Sequence, residues 1–279
     1  MKHHPVQLEP PDIAPYRRGN ARVDYVHVFD SGRRGPNVML QALTHGNEFC
    51  GAIALDYLLT EGVRPRAGRL TLAFANVAAY ERFDFDDPDR SRFIDEDYNR
   101  VWGDEQLHGP RDSAELRRAR ALSRFVEQAD LLLDTGHPAG LRMIERGDFD
   151  DPQSTKAAVL LECGQHWERS AVEVALDTAL RFLKASGAVD AAWADSRLRL
   201  EPPAQQRLIR VMEPVVAKTM QFRFARDFGG LEVLPVMGTL VATDGETQWR
   251  TPYDDCVMVM PSMAHLKPGT TMVRLGRYA

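Results

Sequence analysis

His45 and Glu48 stand in the run THGNEFCG. An imidazole and a carboxylate at this spacing can converge on one metal ion where a strand passes into a helix. The pair alone is a weak signal in a chain with eight histidines, and the competing reading is a histidine near a helix start beside a surface glutamate. Its context favours the first reading: an apolar run precedes it, Gly46 permits a tight turn, and Asn47 can cap the following helix. A hydrolytic zinc needs three protein donors and an open position for water. His137, in a glycine-bracketed loop after LLLD, reads equally as the third donor and as a loop histidine that binds no metal. Glu162 closes the apolar run AAVLLE, where an emerging carboxylate suits a general base better than a paired structural glutamate. Arg92, Asn99 and Arg100 lie in SRFIDEDYNR. Such arginines bind a substrate carboxylate or stabilise an oxyanion, or they pair on the surface with Asp95, Glu96 and Asp97, the reading composition alone favours. His166 reads as support for a local turn, and His3 and His4 as tail.

These side chains need a frame. Residues 22–29 alternate in a β manner, 38–43 form a buried strand, and AIALDYLLTEG has helical spacing, so residues 45–48 fall at a strand-to-helix corner. In open α/β sheets such corners face the ligand crevice. Residues 69–75 read as a strand, followed by a long polar stretch to residue 112 with little periodicity. Residues 113–129 read as a helix with Ser113 at its N-cap. ADLLLD and KAAVLLECG read as buried strands, and residues 168–185 as a helix. This order predicts a mostly parallel α/β sheet with helices on both faces. Beyond Pro202 short β runs separated by Gly, Pro and Asp predict a small β domain, giving an α/β domain over residues 1–200 and a β domain over 201–279.

Composition narrows the function classes. With 44% hydrophobic and 27% charged residues among 279, the chain is an ordinary globular protein with a sizeable core. Forty acidic against 35 basic residues give a net charge of -5, so there is no basic field for nucleic acid or an anionic membrane, and a small-molecule partner is expected. Cys50, Cys163 and Cys256 show no CxxC pair. Neither a secretory leader nor a membrane span is visible, so a cytoplasmic location is expected. Assembly into a homo-oligomer stays open.

THGNE, Asn76, SRFIDEDYNRVW, a strand ending LLLD, and LECG follow one another in an order that resembles the succinylglutamate desuccinylase and aspartoacylase family, a branch of the zinc carboxypeptidase-like hydrolases. The resemblance spans most of the first 190 residues. It implies a mixed sheet sandwiched by helices, a β domain after the catalytic domain, and Zn2+ as cofactor. It also implies hydrolysis of an N-acyl bond on aspartate, glutamate or a related amine. By the same resemblance His45 and Glu48 are zinc ligands, Glu162 the general acid/base, Arg92 the group polarising the scissile carbonyl, and Asn99 and Arg100 the holders of a substrate carboxylate. The family's third ligand comes in Asp-x-His. Here the text is Asp134-Thr-Gly-His137, and the interval to Glu162 is short, so His137 reads either as the displaced ligand or as a bystander. Tyr98 stands where the family more often has Leu. The rival readings are a relative that binds carboxylated ligands without turnover, and a carboxypeptidase-type peptidase.

Overall fold

The computed structural model describes residues 5–134, 143, 146–202, 205–263 and 266–279. His137 lies outside the described residues. The chain divides into two compact units, one ending at Glu201 and the other spanning Pro202–Ala279.

The first unit is built on a five-stranded sheet. Its strands are β1 (Val26–Asp30), β2 (Asn37–Ala42), β3 (Arg69–Phe74), β4 (Leu131–Asp134) and β5 (Ala157–Leu160), in the order β1-β3-β2-β4-β5. Only β1 runs antiparallel to its neighbour; β3, β2, β4 and β5 pair in parallel. The central strand β2 is apolar on both sides because both of its faces are covered. Val38, Leu40 and Ala42 pack with Leu70, Leu72 and Phe74 under helices α1 (Phe49–Thr60), α5 (Arg169–Ala185) and α6 (Ala191–Asp195). Met39, Ala73 and Leu132 pack on the other side under α4 (Ala114–Gln128). Helix α4 is amphipathic and begins where Ser113 Oγ accepts the Leu116 amide at 3.0 Å, the N-cap its sequence predicts.

The polar stretch between β3 and α4 holds two short helices, α2 (Val77–Tyr80) and α3 (Asp104–His108), and 3-10 turns at Pro88–Ser91 and Tyr98–Arg100. Two expectations are corrected. Residues 22–25 are turn rather than strand, with Arg22 and Tyr25 at φ of 59° and 61°. Strand β5 ends at Leu160, before Glu162, and it is a sheet edge with Val159 43% exposed rather than a buried strand. An edge strand has a neighbour on one side only, so its apolar run does not imply double burial.

The second unit is antiparallel throughout. One sheet joins β6 (Ile209–Val216), β12 (Thr271–Tyr278), β11 (Cys256–Val259) and β8 (Val233–Leu234); the other joins β10 (Thr247–Arg250), β9 (Leu240–Asp244) and β7 (Arg223–Phe224). Val215, Phe222, Val241, Met258, Val273 and Leu275 form its own core. Among the described residues no helix is long and apolar enough to cross a membrane.

Candidate active site

The site begins where β2 ends. Leu43 leaves the strand in the left-handed region at φ 62°, a strained conformation for a leucine that persists only where its surroundings enforce it. The chain then turns through Thr44, His45, Gly46 and Asn47, all buried, into α1. Gly46 is required by close approach: a Cβ there would lie 2.4 Å from the Ala79 carbonyl carbon and the Ser91 oxygen. The same closeness lets the Gly46 amide donate to the Arg92 carbonyl at 3.0 Å, joining the corner to the loop that carries the arginines.

At this corner His45 and Glu48 meet with no solvent exposure. His45 Nδ1 is 2.6 Å from Glu48 Oε1, and the His45 amide donates to Glu48 Oε2 at 3.0 Å. On the other side of the ring, Nε2 is 3.0 Å from Asp97 Oδ1. Burial lowers the His45 pKa, but the charge of Glu48 and the bonds to Asp97 and Glu48 outweigh it and raise it above the usual histidine range. Burial raises Glu48, yet the charge and hydrogen bond of His45, with His166 and Arg92 beyond, bring it down to about 2. Asp97 is likewise raised by burial and then held well below the carboxylate range by its bond to His45, by that residue's charge, and by Arg92 and Arg100.

Arg92 reaches both acids, Nη1 at 3.9 Å from Glu48 Oε1 and Nη2 at 3.7 Å from Asp97 Oδ2. Arg100 donates from Nη1 to the Asn99 carbonyl at 2.9 Å, with Asp97 Oδ1 4.0 Å away and its side chain 41% exposed. Asn99 is buried, and its amide donates to Asp97 Oδ1 at 2.9 Å. The acidic run is therefore divided. Asp95 accepts the Ala114 amide, Glu96 pairs with Arg111, and only Asp97 turns inward.

Glu162 is exposed at the residue level, yet its carboxyl is pushed up to about 8, first by desolvation and then by the charge of Glu48, against the pull of Arg92 and His45. The direction suits a group that takes and returns a proton near neutral pH.

Sequence reasoning missed four neighbours. Asp97 was hidden in a charge run. Asp134, wholly buried at the end of β4, accepts from Thr44 Oγ1 at 2.5 Å and is pushed up to about 7, mainly by burial and also by Glu48. His166 was expected to support a turn; its Nε2 lies 3.7 Å from Glu48 Oε1 and its Nδ1 3.6 Å from Cys50 Sγ. Glu115, in the first turn of α4, is buried and accepts from Asn76 and the loop amides of 94–96.

Among the described residues no group of three His, Cys, Asp or Glu side chains is spaced to hold a metal ion. By donor type, an imidazole and a carboxylate, His45 and Glu48 nevertheless match two of the ligands such an ion takes. An imidazole whose far nitrogen is held by a carboxylate is the usual setting of a ligating histidine, and Asp97 supplies that carboxylate.

Residues 34–138 match the family model described as the succinylglutamate desuccinylase/aspartoacylase catalytic domain. No curated protein matches the chain. Among solved structures, succinylglutamate desuccinylase from Vibrio cholerae aligns at 15% identity with a TM-score of 0.60, over 92% of this chain and 86% of that one. The Chromobacterium violaceum succinylglutamate desuccinylase aligns at 18% identity and TM-score 0.59, over 92% and 89%. The ectoine utilization protein EutE (DoeB) from Ruegeria pomeroyi, in a product-bound structure, aligns at 16% and 0.57, over 90% and 88%. The resemblance read from the motifs is thus shown in sequence and in architecture: the chain carries the succinylglutamate desuccinylase/aspartoacylase catalytic-domain pattern over residues 34–138, on the mixed α/β fold of that family's solved members.

Proposed function

We propose that the protein is a zinc-dependent amidohydrolase that removes the acyl group from a small N-acyl amino acid carrying a carboxylate. The observation that carries this reading is the fully buried His45–Glu48 pair, flanked by Asp97 and Arg92 and within electrostatic reach of the Glu162 carboxyl. The family pattern over residues 34–138 and the fold shared with desuccinylases support it.

His45 and Glu48 would hold the ion, with the third donor sought among residues outside the described set, His137 included. When bound, the ion lowers the pKa of a coordinated water to about 7 and polarises a carbonyl. The chain's own residues do the rest. Glu162 accepts a proton from the attacking water and returns it to the leaving amine; a pKa that burial and the charge of Glu48 push upward suits both halves of that transfer. Arg92, held between Glu48 and Asp97, presents a guanidinium to the oxygen that gains negative charge. Arg100, partly exposed beside Asn99, offers a fork for the substrate carboxylate. Asp97 orients the His45 ring.

Metal analysis of the purified protein, with hydrolysis assays on acylated aspartate, acylated glutamate and neutral N-acyl amides, tests this. Bound zinc with turnover of an acidic substrate is expected. No bound zinc and no activity on adding it would refute the proposal, whereas tight binding of carboxylated ligands without turnover would support a non-catalytic relative.

A further inference from the structure

The loop holding Arg92, Asp97, Asn99 and Arg100 has little regular structure, consisting of bends and a single 3-10 turn. Short irregular loops do not hold catalytic groups to sub-ångström tolerance unless something outside them fixes the backbone. In this protein one carboxylate supplies much of that anchoring, beside the bond from the Gly46 amide to the Arg92 carbonyl. Glu115, in the first turn of α4 and fully buried, accepts four N–H groups. Oε1 takes Asn76 Nδ2 at 3.0 Å and the Ile94 amide at 2.7 Å; Oε2 takes the amides of Asp95 at 3.1 Å and Glu96 at 3.3 Å. The clamp is reciprocal, because Asp95 Oδ2 accepts the Ala114 amide at the start of α4 at 2.7 Å. Three successive loop amides held by one rigid helix residue leave little play in the backbone between Arg92 and Asp97.

We propose that Glu115 is a positioning residue for this site: its carboxylate fixes residues 94–96, and thereby the placement of the Arg92 guanidinium and of the Asp97 carboxylate on His45. This rests on the hydrolase reading for its kinetic consequence, but its structural content stands without it. Glutamine cannot substitute. Each carboxylate oxygen receives two donors, so whichever one becomes NH2 faces N–H groups that then lack an acceptor. An alternative in which Glu115 merely stabilises the start of α4 predicts a different pattern, since Ser113 already caps that helix.

Two measurements test it in the intact chain. Amide exchange followed by mass spectrometry on Glu115→Gln is expected to show peptides over 92–99 exchanging more than about tenfold faster, with 116–128 unchanged. A double-mutant cycle with Arg92→Ala, on whichever acyl amino acid the wild type hydrolyses, is expected to be non-additive. Glu115→Gln lowers kcat/KM about tenfold alone and less than about twofold in the Arg92→Ala background. Ser113→Ala serves as the structural control: it lowers the melting temperature, and its effect on kcat/KM multiplies with that of Arg92→Ala. If Glu115→Gln does not fold, Glu115→Asp, one methylene short, replaces it and shows the same pattern at smaller amplitude. Unchanged exchange over 92–99, faster exchange spread equally through α4, or multiplicative kinetics would each overturn the proposal. A wild type inactive on every amide sinks the hydrolase reading and leaves the exchange result to decide the anchor.

Discussion

Replacing Asp97 tests the centre most directly, because one oxygen of that residue does two jobs. Asp97 Oδ1 lies 3.0 Å from His45 Nε2 and accepts the Asn99 amide at 2.9 Å, while Oδ2 faces Arg92 Nη2 at 3.7 Å. Asparagine can keep its oxygen in the Oδ1 place and retain both contacts, losing the negative charge and turning an amide N–H toward the guanidinium. Alanine loses everything. A hydrogen bond to a charged group contributes about 1.5–3 kcal/mol, and at about 1.4 kcal/mol per decade that is about one to two decades of affinity, the range found when the carboxylate behind a ligating histidine is removed. Asp97→Asn is therefore expected near the lower end, about tenfold weaker zinc binding, and Asp97→Ala near the upper, about a hundredfold. Competition against a chromophoric chelator at fixed pH reads both, with circular dichroism to confirm folding. Zinc affinity of folded Asp97→Ala within about twofold of wild type would refute the reasoning that this carboxylate orients a metal-binding imidazole.

Glu162→Gln is expected to retain zinc while kcat drops by about 10²–10⁴; wild-type turnover would remove Glu162 from the proton-transfer role. Arg100→Ala should raise KM more than it lowers kcat, and steady-state kinetics with an unchanged KM would exclude it from the carboxylate site. Folding depresses the carboxyls of Glu48, to about 2 from 4.5, and of Asp97. Their contribution to stability is therefore present above pH 4.5 and is lost as the pH falls toward about 2. Acid unfolding of the metal-free protein should show this, and Asp97→Asn should flatten the dependence; an identical acid limb in the variant would contradict it. Gly46→Ala brings a methyl within 2.4 Å of backbone at Ala79 and Ser91 and is expected to cost about 1–3 kcal/mol or more, read from denaturant midpoints, whereas wild-type stability would show that the loops can part freely.

The strongest features of the first unit were legible because pattern and burial agree there. The continuous apolar run of β2 lies at the centre of the sheet, and the helix after GNE follows at once, so the corner carrying His45 and Glu48 could be placed from sequence. Ser113 was legible as a cap because its side chain acts locally, on Leu116. The rest depended on contacts far apart in the chain. Strand β5 has the same apolar composition as a central strand, and only its place at the sheet edge exposes it. Asp97 is one of several acids in a row, and its inward direction is set by the turn at Tyr98–Arg100. Asp134 and His166 meet Glu48 only once β2, β4 and the segment after β5 lie side by side. The part of Glu115 visible in sequence was its helix position, while its partners lie some twenty to forty residues upstream.

Both ring nitrogens of His45 face carboxylate oxygens, Glu48 on one side and Asp97 on the other. An imidazole that donates to both carries two N–H groups and a positive charge, the form that the raised pKa of His45 favours. If His45 ligates an ion through Nδ1, as the zinc proposal holds, that ion would meet a proton in its place. On the proposed zinc reading, loading would be an exchange: each ion taken up would expel the Nδ1 proton of His45, medium acidity would oppose uptake, and a weakly buffered solution would acidify as the site fills.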